Sequence, residues 1–177
     1  KDMQPSYWMT LNVVSALSRL SVWGETDSDE KIAMMTIDAL RYLDNEYVRR
    51  NTEQPRLIDY NDICYLYVRS AFTDIPLNDK VLAIHRAQLD TLSRSWYKLD
   101  EIEKAYTAIA MHRYGYSAAV DIIGSLREYA TINPSQGMFW ANNRSYSFYR
   151  NSAVQVHCAI YEAFAEIAPE ADELDAM

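Results

Sequence analysis

The sequence predicts an all-α protein of antiparallel helical hairpins in two layers, and three observations carry that prediction. Apolar residues recur at helical rather than alternating spacing over most of the 177 residues. Capping side chains stand just before several of these runs. Only 4 Gly and 5 Pro occur, too few for a β-sandwich with its many tight turns.

The elements follow in order. A first helix is expected from about Ser6 to Trp23, stopped by Gly24. Asp27 caps a second, with Glu30 three residues on as a capping-box partner. Ile32, Met35, Ile37, Ala39, Leu40, Leu43 and Tyr47 keep mostly helical spacing, and Arg49 and Arg50 suit the negative helix end. Pro55 breaks the chain. Asp59 then caps a third helix to about Phe72, with Asp62 in its first turn. Asn78, after Pro76, caps a fourth to about Ser93. A fifth runs from about Leu99 to Tyr114 and ends at Gly115. A sixth extends to about Thr131, and the segment "INPSQGMFWANNRSYSFYRN" reads as a long connection. The seventh spans about Ser152 to Ile167, with Ser152 and Gln155 as a second capping box.

Short loops make neighbouring helices antiparallel. Helix starts recur at the period of stacked hairpins. The odd-numbered helices carry apolar or small residues on more than one face, and the even ones are more amphipathic. Two such layers describe a partial α/α toroid of about seven helices, one body over residues 1–168, with 169–177 as an acidic tail or linker. The chain opens on Lys1 rather than Met and is expected to be a piece of something longer. A toroid cut open leaves an apolar flank on the first or second helix, which would be dimerised or unusually apolar.

Composition narrows function. The net charge of −8 disfavours nucleic acid and anionic lipid as partners. No apolar run is long enough to span a membrane. Cys64 and Cys158 both lie in apolar helical runs, and two buried thiols are expected ahead of a disulfide.

The stretch "KAYTAIAMHRYGYSAAVDIIGSLREYA", followed by "GMFW" and then "NSAVQVHCAIYEAF", resembles a late part of the toroid domain of bacterial alpha-2-macroglobulin family proteins. There a Lys-Ala-rich helix leads into one ending Ser-Leu-(Lys/Arg)-Glu. A Gly-(Met/Phe/Tyr)-x-Trp loop and a further helix follow. The opening "QPSYWMTLNVVSALSRL" is similar to the family stretch where Tyr-x-Thr begins a helix. Tyr7 and Thr10 stand near those places with one extra residue between them. The resemblance covers about nine-tenths of the chain and rests on order and spacing. It implies a non-catalytic module of a large endopeptidase inhibitor, exported and periplasmic or outer-membrane-anchored, which traps proteases. Other domains of the parent chain are its implied partners, and no cofactor is implied. In that family a Cys-x-Glu-Gln thioester acylates nearby amines or hydroxyls. This sequence has no such motif, so no catalytic residue is carried over.

Residue by residue, two enzyme alternatives stand beside it. Asp62, Cys64 and Tyr65 match a short zinc pattern of protein prenyltransferase β subunits, also α/α toroids, with His112 or His157 as a third ligand. Against it, the chain has no Gly-Gly, Asp62 suits a first-turn carboxylate, and Cys64 suits a small core residue. A carbohydrate-active toroid would need paired carboxylates in an aromatic cavity, but Asp27, Asp29, Glu101 and Glu103 sit in caps and solvated faces. The best candidate for partner contact is Trp140, Arg144, Tyr146, Phe148, Tyr149 and Arg150, a composition of interface hot spots. The other expectation for that segment is a loop packed over the end of the fold. His85 is expected at the surface, His157 as a hydrogen-bonded core residue, and His112 near a helix C-terminus.

Overall fold

A computed structural model of the chain describes residues 5–22, 30–53, 57–141 and 152–177. It is all-α, with seven α-helices and one two-stranded sheet among the described residues: α1 (Tyr7–Val22), α2 (Glu30–Thr52), α3 (Tyr60–Ser70), α4 (Asp79–Ser95), α5 (Glu101–Arg113), α6 (Ala118–Glu128), β1 (Thr131–Asn133), β2 (Gly137–Phe139) and α7 (Ala153–Ile167). Its contacts group into two compact units, residues 1–90 and 91–177.

In the first unit α1 packs on α2 and α3, and α2 on α3. The caps explain where α3 and α4 begin. Asp59 accepts from the Asp62 amide at 3.0 Å, and the Asp62 carboxylate accepts from the Asp59 amide at 3.1 Å. This reciprocal box satisfies two amides that a helix start leaves open. Asn78 Oδ1 accepts from the Val81 amide at 3.0 Å in the same way. Asp27 and Pro55 lie outside the described residues. Eight of the 11 residues of α3 are buried, the two-sided burial expected of an odd-numbered helix.

In the second unit α5 is the hub, packing on both α6 and α7, which also touch each other. Every residue from Ala105 to Met111 is buried. The run of small alanines lets neighbouring helices approach α5 from more than one side. Asp100 and Glu103 form its capping box. The Gly115 φ of +77° ends it, and the Tyr116 amide reaches back to the Met111 carbonyl at 2.8 Å. α7 buries one face only: Val156, Ala159, Ile160, Ala163 and Phe164.

Two segments differ from the sequence expectation. The connection after α6 contains a β-hairpin pairing Thr131 with Phe139, Ile132 with Met138 and Asn133 with Gly137. Its strands are three residues each, too short to show a period of two. Asn133 Oδ1 builds the turn by accepting from both the amide and the hydroxyl of Ser135. The acidic end is folded rather than loose. Asp172–Ala176 forms a 3-10 turn against β2 and α7. Glu173 pairs with Arg127, and the Met177 carbonyl lies 2.9 Å from His157 Nε2. Gly137, at φ +76°, is required there, because a Cβ would run into the Ala176 carbonyl oxygen.

Candidate functional site

Among the described residues, α1 carries an exposed apolar face. Leu11, Val14 and Ser18 are buried, whereas Trp8, Met9 and Val13 are exposed at 51%, 61% and 58%. Met9, Val13, Ala16 and Leu20 follow one another at intervals of four, three and four. That is the spacing of a helix-packing seam. On α2, Met34, Met35 and Ile37 are also exposed, while Thr36, Leu40, Leu43 and Tyr47 are turned inward. Thr36 satisfies its hydroxyl on the Ile32 carbonyl at 2.8 Å. Large apolar side chains at six exposed positions on two adjacent helices are what a partner helix covers.

The first unit also holds a buried polar network. Leu40, Leu43 and Tyr47 form the inward stripe of α2, and Asp44 falls on it. Asp44 Oδ1 accepts from the Tyr65 hydroxyl at 2.6 Å and from Arg69 Nε at 3.2 Å. Arg69 spends its remaining donors on the Phe72 and Ile75 carbonyls at 2.7 and 2.8 Å, holding the chain after α3. Burial, then the Asp44 charge, pushes the Tyr65 phenol well above its ordinary range, so it stays a donor. The Tyr65 ring stacks on Tyr47 at 3.9 Å. The Tyr47 hydroxyl donates to Gln88 Oε1 at 2.8 Å, and Gln88 Nε2 donates to Asn51 Oδ1 at 2.8 Å. Together these bonds tie α2, α3 and α4. The sequence reading missed this network. A charged residue one place after Leu43, inside an apolar stripe, was the available signal.

The zinc alternative does not assemble. Asp62 is fully buried, one oxygen in the cap of α3 and the other 3.4 Å from Asn51 Nδ2. Cys64 is two residues further along the helix, which turns it about 200° from Asp62. His112 is exposed at the end of α5, in the other unit. Among the described residues no three His, Cys, Asp or Glu side chains are placed to hold a metal ion.

Neither thiol is buried, contrary to expectation. Cys64 is half-buried and Cys158 exposed, and neither is in a disulfide. Cys158 falls off the buried stripe of α7 that Val156, Ala159 and Ile160 define. His85 is buried rather than superficial, because it follows Val81 by four on the inward face of α4. Burial, then the charges of Arg69 and Arg86, lowers its pKa to about 4. His157 is hydrogen-bonded as expected, but only half-buried.

Trp140 is interior. Its indole N–H donates to the Leu126 carbonyl at 2.9 Å, and its ring packs on His157 and Phe164. That is the packing role foreseen as the alternative to partner contact. Arg144, Tyr146, Phe148, Tyr149 and Arg150 lie outside the described residues. Among those described, no helix is long and apolar enough to cross a membrane. No family model, no curated protein and no solved structure matches this chain.

Proposed function

We propose that this chain is a non-catalytic helical module of a large, exported bacterial alpha-2-macroglobulin-like endopeptidase inhibitor, corresponding to the later hairpins of its α/α toroid. The single observation that carries the proposal is the uncovered seam on α1, with Trp8, Met9 and Val13 exposed. A toroid helix of this kind packs on the hairpin before it as well as on the one after it. The seam is therefore the surface on which preceding hairpins of the parent would sit. The order of the sequence motifs agrees with that placement, and so does the two-sided burial of α3 and α5. Packing, not chemistry, is then the work of this module. Its surface to the rest of the parent is apolar, and its interior holds the paired Asp44, Tyr65 and Arg69.

The test uses the longer protein encoded upstream and downstream of this segment. Incubated with trypsin, it should lower cleavage of a large protein substrate while sparing cleavage of a small chromogenic peptide, as steric enclosure of the protease requires. Equal inhibition of both substrates, or of neither, would contradict the proposal.

A further inference from the structure

The second unit carries a groove that the proposed role does not use. It lies between the 3-10 turn Trp96–Lys98 with the start of α5 on one side and the outer face of α6 on the other. Its volume is about 620 Å³, within the range of small-ligand sites. Three aromatic rings border it: Trp96, Tyr97 and Tyr129, the last two 62% and 70% exposed. Large aromatic rings left this open on a folded surface are unspent contact area.

The polar lining is mixed. Lys104 Nζ stands 5.3 Å from the centre of the Tyr129 ring and 6.0 Å from that of Trp96, and it donates to Ser125 Oγ at 3.4 Å. Asp121 and Glu128 line the α6 side. Among the described residues, neither carboxylate is in an ion pair or a hydrogen bond through its side chain. Between them the floor is Gly124, where a Cβ would meet nothing within 4 Å.

Charge selects the ligand class. Two carboxylates repel an anion. On two of the three rings the place a cation would take is already held by the Lys104 ammonium. A wholly apolar segment would bury Asp121 and Glu128 without partners, which is costly. What remains is a neutral molecule with apolar faces and a rim of groups that both donate and accept. A pyranose has that form: its C–H face stacks on the electron-rich face of Trp or Tyr, and its hydroxyls donate to carboxylates and accept from an ammonium. We infer that this groove binds a neutral carbohydrate of one or two pyranose rings, stacked on Tyr129 and Tyr97 and hydrogen-bonded by Lys104, Asp121 and Glu128. This inference stands on the groove alone and does not depend on the macroglobulin proposal.

The experiment is an NMR titration of the full 177-residue chain, labelled with ¹⁵N, using maltotriose, cellotriose and triacetylchitotriose as probes. At least one probe should shift the α6 amides and the Trp96 indole signal saturably, at a concentration of about 10 mM or below. Gly124→Leu fills the floor, suits a helix better than glycine, and should abolish the shifts while raising the melting temperature. Tyr129→Ala, an exposed position, should weaken binding about tenfold with the fold intact. No saturable response to any of the three probes overturns the inference. So does a response that survives in both variants, or one seen only with a lysine-rich peptide as a fourth probe.

Discussion

The Tyr65 hydroxyl donates to Asp44 Oδ1 across 2.6 Å. The same oxygen holds Arg69, whose side chain is only 1% exposed. Removing Asp44 therefore strands a buried guanidinium. We predict that Asp44→Ala lowers unfolding free energy by about 3–5 kcal/mol. Tyr65→Phe should cost about 1–3 kcal/mol, since Arg69 still compensates the carboxylate. Urea denaturation followed by circular dichroism measures both. The double variant should cost less than the sum, because the two share one acceptor oxygen.

His85 predicts a pH dependence. Its pKa in the folded chain is about 4, below the unfolded value of about 6.5. Between those values the unfolded chain binds the extra proton, so stability rises with pH across that window. The favourable state is complete above pH about 6.5. It is lost as pH falls toward 4, by up to about 3 kcal/mol. His85→Gln should flatten the slope of unfolding free energy between pH 4 and 6.5 relative to the parent chain. An unchanged slope would place the imidazole in water.

Two glycines should respond to alanine with opposite signs. Gly124 is a helical glycine facing open space, and Gly124→Ala should stabilise by about 1 kcal/mol. Gly137 has φ +76° and sits against the Ala176 carbonyl. Gly137→Ala should destabilise by about 1–3 kcal/mol. It should also speed hydrogen exchange at Asp172–Ala176, which the unsubstituted chain holds against β2.

Much of the helical layout was legible because it rests on local signals. Asp59, Asn78 and Ser152 announce their helices, and each accepts the amide three residues on. What escaped is set by partners distant in sequence. His85 looked superficial beside Arg86, yet Val81, Gln88 and Leu89 place it on the inward stripe of α4. The acidic end looked loose because nothing in it announces Arg127 as a partner. The groove beside α6 was not legible either. Trp96 and Tyr97 stand far from Tyr129 in the chain, and only the folded second unit brings them to one opening.

The most direct test of the account is methionine oxidation, compared between this chain and the longer protein that contains it. Hydrogen peroxide oxidises accessible thioethers, and mass spectrometry reads each one. Met9 is 61% exposed here, whereas Met111 and Met138 are buried and serve as internal controls. If preceding hairpins of a toroid cover α1, Met9 oxidises quickly in the 177-residue chain and is protected in the longer protein, with both controls slow throughout. Equal oxidation of Met9 in the two proteins would show that nothing packs on α1, and would contradict the proposed role.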